Sequence, residues 1–295
     1  MNLFTHVTLP PANLTLKPDS RIIFIGSCFA EHVGAQMQKR MPETNCLVNP
    51  FGVLYNPVSI AQAVDLLVSN PDSCNSIPSN IFLGQDGIYH SWLHTSHFSS
   101  TDRNECIDQI TRQLEKARSF ILSADILCIT FGTTRYYQLN EHPHTIVANC
   151  HKEPQSIFTE VEPTLDELQS LWSETLDKLL LINPRIKFCF TVSPYRYRKY
   201  GFHESQIQKA KLLLLTDTLC NTYPQASYFP AYEIMMDELR DYRFYAADML
   251  HPSEQAIEII TERFTEWTFT KEMSAFAENN LKEWKRNQHR PIAIR

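Results

Sequence analysis

Three short runs of β-branched and aromatic residues, each closed by small polar residues, constrain the fold of this chain more than any other feature. Arg21-Ile22-Ile23-Phe24-Ile25 ends at Gly26-Ser27, and Asp125-Ile126-Leu127-Cys128-Ile129-Thr130-Phe131 ends at Gly132-Thr133-Thr134. Lys187-Phe188-Cys189-Phe190-Thr191-Val192 ends at Ser193-Pro194. Runs this short and this apolar fit strands buried on both faces. The stretches between them have helical period, which predicts helices over 30–39, 58–68, 102–119, 165–181, 203–220 and 253–269. A short strand is expected at 227–229 and a hairpin around 81–89, where a glycine-containing turn separates two apolar runs. Strands alternating with helices require right-handed crossovers and a mainly parallel sheet with helices on both faces. The expected fold is therefore α/β, a three-layer αβα sandwich.

Composition narrows the class further. In a chain of 295 residues, 43% hydrophobic content supports a sizeable core without disulfides. The formal charge of −6 is spread along the chain, and no basic stripe suited to nucleic acid is present. No run of about 18 apolar residues is available to span a membrane. The first residues, Met1-Asn2-Leu3-Phe4-Thr5-His6, lack the basic start and apolar stretch of a signal peptide, so a cytoplasmic location is expected. The eight cysteines (Cys28, Cys46, Cys74, Cys106, Cys128, Cys150, Cys189 and Cys220) form no C-x-x-C pair and read as free thiols. No metal and no organic cofactor is expected. Without a linker or a repeat, residues 1–295 read as one domain with inserted hairpins. Its core runs from about 20 to 270, and a polar tail, 271–295, is expected to pack loosely or to contact a partner.

The ends of parallel strands are where such sheets carry their chemistry. Ser27 follows the first strand and precedes a helix, so a hydroxyl meets the positive end of a helix dipole and is a candidate nucleophile. A serine in that place also serves as a plain N-cap. Cys28, beside it, is the rival nucleophile, since a thiol at a helix N-terminus ionises more readily. Neighbouring residues at such a turn point in different directions, which favours Ser27 toward the base and Cys28 packing inward. Among 11 histidines, His251 in Asp248-Met249-Leu250-His251 sits in the loop before the last helix, three residues after Asp248. That spacing lets the carboxylate orient the imidazole for a serine nucleophile, or serves only as a turn cap beside a surface histidine. His151 and His203, in polar loops, and Arg196, Arg198 and Lys199, after the third strand, are candidates for substrate contact or for simple solvation. Tyr136-Tyr137 would stack on a sugar ring or pack in the core.

Taken together, these segments resemble the GSCFA family, named after Gly26-Ser27-Cys28-Phe29-Ala30 and grouped with the SGNH (GDSL-like) hydrolases. The resemblance continues through Asn49-Pro50-Phe51-Gly52-Val53-Leu54-Tyr55-Asn56-Pro57, Phe131-Gly132-Thr133, Val147-Ala148-Asn149-Cys150-His151-Lys152, Thr191-Val192-Ser193-Pro194 and Asp248-Met249-Leu250-His251. It implies an SGNH hydrolase-like, flavodoxin-like sheet, with Ser27 as nucleophile, His251 as base and then acid, and Asp248 as its orienter. It also implies oxyanion donors from the Ser27 N–H, from Gly52 and from the Gly132 turn. There the usual asparagine is replaced by Thr134, whose hydroxyl is a single, weaker donor; Asn149 and Asn49 are the alternatives. The implied activity is a serine esterase working through an acyl-enzyme on a small-acyl ester, carbohydrate-linked by family analogy. An O-acyltransferase and a non-catalytic glycan-binding module on the same fold are the alternatives.

Overall fold

The computed structural model describes residues 5–11, 13–69 and 77–288. Strand β1 (Ile22–Gly26) leads through Ser27 into helix α1 (Cys28–Gln38), and β2 (Cys46–Val48) leads through a loop into α2 (Pro57–Val68). The hairpin of β3 (Ile81–Leu83) and β4 (Tyr89–Ser91) precedes α3 (Arg103–Ile121) and β5 (Ile126–Phe131). Strands β6 (Tyr136–Leu139), β7 (Ile146–Val147) and β8 (Phe158–Val161) follow, then α4 (Leu165–Ile182), β9 (Lys187–Val192), α5 (Phe202–Thr222) and β10 (Ala226–Tyr228). The single turn α6 (Ala231–Glu233) runs into a π-helical turn, Ile234–Glu238, before α7 (Glu254–Thr268) and α8 (Lys271–Gln288).

Five strands pair in parallel in the order β10-β9-β5-β1-β2. Winding runs outward in both directions from the β1/β5 pair, which makes that pair the topological switch point of a flavodoxin-like sheet. All of β1 is buried, because strands flank it and helices cover both its faces. Its alternate side chains enter two different cores. Ile23 and Ile25 join Leu127, Ile129 and Phe190 beneath α2, α3, α4 and α5. Ile22 and Phe24 join Cys46, Cys128 and Cys189 beneath α1, α7 and α8. These are the three layers expected from the sequence.

Most helix starts follow local capping chemistry. Asn56 accepts from the Ser59 N–H with Pro57 in the first turn, Asp102 caps α3, Thr164 and Glu167 form a capping box, and Ser253 caps α7. Such caps stabilise a helix by about 1 kcal/mol each. Two elements differ from the sequence expectation. The edge strand β2 is three residues long, too short to carry a period. The tail is not loose over its described part: α8 buries Met273 and Ala277, four residues apart on one face. Asn280 donates to the Arg40 carbonyl at 3.0 Å, and the Lys39 ammonium lies 4.7 Å from the Trp284 ring centre. Residues 289–295 of that tail, and Cys74, lie outside the described residues. The described cysteines are free thiols, and Cys128 and Cys189 sit buried opposite one another on β5 and β9. No helix among the described residues is long and apolar enough to cross a membrane.

At the switch point β1 and β5 approach too closely for a side chain. A Cβ on Gly26 would collide with the Thr130 carbonyl oxygen and lie 2.9 Å from the Thr130 Cβ. Gly26→Ala is therefore expected to force the strands apart and to cost about 1–3 kcal/mol, by analogy with overpacked cores. Thermal unfolding checks this as a melting temperature lowered by several degrees, with circular dichroism still that of an α/β protein.

Candidate active site

The turn after β1 places Ser27 at the N-cap of α1, but the side chain does not cap. With φ −68° and ψ 176° the residue makes no side-chain capping bond. Its Oγ is buried and has no hydrogen-bond partner. A buried hydroxyl without a partner is costly and needs an explanation. Ser27 borders a cavity of about 430 Å³ that His251, Cys28, Asn149 and Tyr195 also line.

His251 reaches this cavity from the loop before α7. Its Nδ1 lies 2.5 Å from Asp248 Oδ2, while Asp248 Oδ1 accepts from the Leu250 and His251 N–H groups at 2.9 and 3.0 Å. The sharp turn requires Met249 at φ 61°. The His251 N–H, then its ring, then the Leu250 N–H hold the Asp248 carboxyl well below the usual carboxylate range. Asp248 is thus ionised and aligned, and Nε2 has no protein partner among the described residues. The Tyr195 ring packs on the imidazole at 4.2 Å between centres. Ser27 and His251 share a cavity but no hydrogen bond; such bonds often form only once substrate is held.

Cys28 does not pack inward as expected: it is half-buried and borders the same cavity. The chain turns from extended to helical between residues 27 and 28, so both side chains meet one space. Burial pushes the Cys28 thiol up, against the pull of the Phe29 N–H, so the helix end does not ionise it.

The expected oxyanion donors are placed differently. The Gly52 N–H donates to the Asn49 carbonyl at 2.8 Å, and Gly52 does not border the cavity. Thr134 is fully buried, its hydroxyl unpartnered, and it also lies outside the cavity wall. Asn49 does not border the cavity: its Oδ1 accepts from the Gly26 N–H at 2.9 Å, while its Nδ2 is buried without a partner. The Ser27 N–H makes only a long bond of 3.4 Å to the Thr130 carbonyl. Asn149 does line the cavity, with Oδ1 accepting from the His151 N–H, and Asn56 lines it as well.

Tyr136 and Arg196 face elsewhere. Successive residues of β6 point to opposite sides, so Tyr137 enters the cavity and Tyr136 packs on the core. Arg196 lies over the Phe202 ring beside Met236, outside the cavity. His203 and Arg198 are exposed. His151 is a core residue: its ring stacks on His90 at 4.4 Å, with Nε2 on the Ser91 carbonyl at 2.8 Å and Nδ1 3.1 Å from Ser96 Oγ. It holds the loop that carries Asn149.

Three features escaped sequence reasoning. Lys209 of α5 is buried, and its ammonium donates to the Gly132 and Ser193 carbonyls, both at 2.7 Å, which ties together the turns that end β5 and β9. Burial lowers its pKa to about 7. The outer cavity wall carries Arg135 and Glu160. Arg135 pairs with Glu162 and Glu204 at 2.5 and 3.1 Å, and Lys199 pairs with Glu160 at 2.8 Å. Glu160 also accepts from the Tyr137 and Tyr200 hydroxyls. Burial would raise Glu160, but the Lys199, Tyr137 and Tyr200 hydrogen bonds outweigh it and hold the carboxyl low. These residues are scattered in sequence and carry no local signal. Among the described residues no group of three or more His, Cys, Asp or Glu is arranged to hold a metal.

The GSCFA family model matches residues 21–264. A comparison with curated proteins found no match. Among solved structures, one described as "a putative platelet activating factor from Streptococcus pneumonia" is similar at 12% identity. The similarity covers 83% of each chain with a TM-score of 0.42.

His94 is buried against Phe51 at 5.1 Å, its Nδ1 2.9 Å from Ser91 Oγ, and burial lowers its pKa to about 3. On acidification the unfolded chain protonates this ring near its ordinary value of 6.5 while the folded chain does not. Stability is therefore expected to fall as pH drops below 6.5, by up to about 1.4 kcal/mol per pH unit for this one group. Melting temperatures measured from pH 7 to pH 5 test this, and His94→Phe should flatten the slope.

Proposed function

From the Ser27, His251 and Asp248 geometry, in a chain that belongs to the GSCFA family, we propose a serine hydrolase of the SGNH type acting on ester bonds. The observation that carries the reading is a buried, unpartnered serine hydroxyl at a helix N-terminus, bordering the same cavity as an imidazole aligned by an ionised aspartate. That is the arrangement a serine nucleophile requires. The chain order, serine after the first strand and Asp-x-x-His before a late helix, is the order of the SGNH enzymes.

In the proposed reaction Ser27 Oγ attacks the ester carbonyl carbon and its proton passes to His251 Nε2. The negative charge on the carbonyl oxygen faces the N-terminus of α1, whose first N–H groups have no intrahelical partner. The Ser27 N–H is the nearest to release, and the Asn149 carboxamide borders the same space. Collapse breaks the ester C–O bond, and His251 returns the proton to the departing alcohol. Water then attacks the acyl-serine, giving its proton to His251, which returns it to Ser27 Oγ as the acyl–oxygen bond breaks and the acid leaves. Asp248 stays ionised throughout and stabilises the imidazolium. No cofactor enters this sequence.

The outer wall supports an uncharged, hydroxyl-bearing alcohol portion. Tyr197 lines it, Tyr137 and Tyr200 add phenol oxygens that can still accept although their protons go to Glu160, and the charges of Arg135, Lys199 and Glu160 are already paired with one another or with their neighbours. A carbohydrate ester fits those features better than an anion does.

A fluorophosphonate probe should add to Ser27, seen by intact mass, with labelling lost in Ser27→Ala and kept in Cys28→Ala. Labelling that persists in Ser27→Ala overturns the assignment. For short p-nitrophenyl esters, Asp248→Asn should lower kcat by about 10³- to 10⁴-fold with the fold intact, because the imidazole loses its orientation and its counter-charge.

A further inference from the structure

His251 borders a second, smaller cavity, of about 290 Å³, and its walls differ in kind. Phe29, Ala246, Pro252 and Ile257 line it, and the polar His32 and Glu254 are exposed at its solvent side. The two cavities share Cys28, Tyr195 and His251, which therefore form the partition between them. Phe29 and Ile257 are buried members of the core under α1 and α7, so that end is a rigid floor. No charged side chain stands among its buried walls.

We propose that this second cavity receives the acyl chain of the ester, while the tyrosine-lined chamber holds the alcohol portion. The proposal rests on the serine hydrolase reading given above. An ester bound at Ser27 has to send its two arms in different directions from the attacked carbonyl. An alkyl chain laid in the larger chamber would cover Arg135, Glu160 and several hydroxyls and strip them of water without replacing its hydrogen bonds, which is unfavourable. The same chain in the smaller cavity lies against Cys28, Phe29, Pro252 and Ile257 and leaves the exposed His32 and Glu254 in water. Cys28 follows Ser27 directly in the chain and borders both spaces, so it is the member of the partition nearest in sequence to the acyl carbon's attachment point. As a protonated, half-buried thiol, Cys28 behaves there as a small apolar surface. This assigns the third residue of the Gly-Ser-Cys-Phe-Ala motif to substrate binding and the fourth to the floor beneath it.

The volume sets a limit. Each methylene buried against such walls should raise kcat/KM about fourfold, until the chain meets Phe29 and Ile257. The preferred acyl groups are therefore short, and the cutoff is set by residues that take no part in the chemistry.

The experiment measures kcat/KM of the full chain for p-nitrophenyl acetate, butyrate, hexanoate and octanoate. Wild type should rise from acetate to an optimum and then fall. Ala246→Leu, which fills the cavity from its partly exposed edge, should cut hydrolysis of the optimal and longer esters at least tenfold more than that of acetate. Ile257→Ala, or Ile257→Val should the former not fold, should move the optimum toward longer chains. A simple folding defect would lower all chain lengths together, so opposite shifts in the two variants support the assignment. Profiles parallel to wild type in both variants, with turnover still dependent on Ser27, overturn the acyl assignment alone. Absence of Ser27-dependent turnover for every ester overturns the hydrolase reading and the acyl assignment with it.

Discussion

The backbone stitching across the carboxyl ends of β1 and β5 is the interaction on which the rest of the site depends. Residues 49–55 lie over both strand ends. Asn49 accepts from the Gly26 N–H, the Leu54 N–H donates to the Gly26 carbonyl, and the Tyr55 carbonyl accepts from both Gly132 and Thr133. In a doubly wound sheet the crevice opens where the winding reverses, and every unpaired strand-end group there demands a partner. Here the loop supplies those partners and closes one side of the crevice. What it leaves open is Ser27 and the first turn of α1. The same stitching explains why the Gly52 N–H is not free for a ligand, since it is spent on the Asn49 carbonyl within the loop itself.

Lys209 completes the frame from the other side. Its ammonium occupies the point where the Gly132 and Ser193 carbonyls converge, so one side chain fixes the ends of β5 and β9. A buried ammonium is expensive unless its hydrogen bonds are met, and its lowered pKa reflects that cost. The frame is thus rigid at three strand ends. Against it stands the less buried loop that carries His251, held in place by the two N–H groups that Asp248 accepts and by the Tyr195 ring. For the proposed reaction, a serine on this rigid frame and an imidazole on a loop of its own combine precision with access.

In the proposed reaction the two cavities that meet at His251 divide the two arms of the ester between them. One is walled by tyrosines and by charges that neutralise each other, the other by Phe29, Ile257 and Pro252. On that proposal discrimination in the first rests on hydroxyl geometry and ring stacking, and in the second on length. A hydrophobic floor separates substrates that differ by one methylene only modestly, so the sharper selectivity belongs on the polar side, where an unmatched hydroxyl leaves buried groups unpaired.

Much of this was legible in the residues themselves. Buried strands announced themselves by uniform apolar runs, helices by period, and Asp248 and His251 by a spacing that closes within one turn. These are short-range facts, set by backbone geometry and by side chains within a few residues. The misreadings had equally local causes: β2 is too brief for a period, and α8 buries a stripe too narrow for its polar composition to betray. What only the tertiary structure decided was direction and company. The alternation of β6 sent Tyr137 rather than Tyr136 inward, His151 went into an aromatic core rather than to a ligand, and Thr134 was sealed beneath the site. Lys209, Arg135 and Glu160 acquired roles from partners far away in the chain. Hydrogen-bond partners and cavities depend on which segments the fold brings together across the sheet edge, and no window along the sequence contains that information.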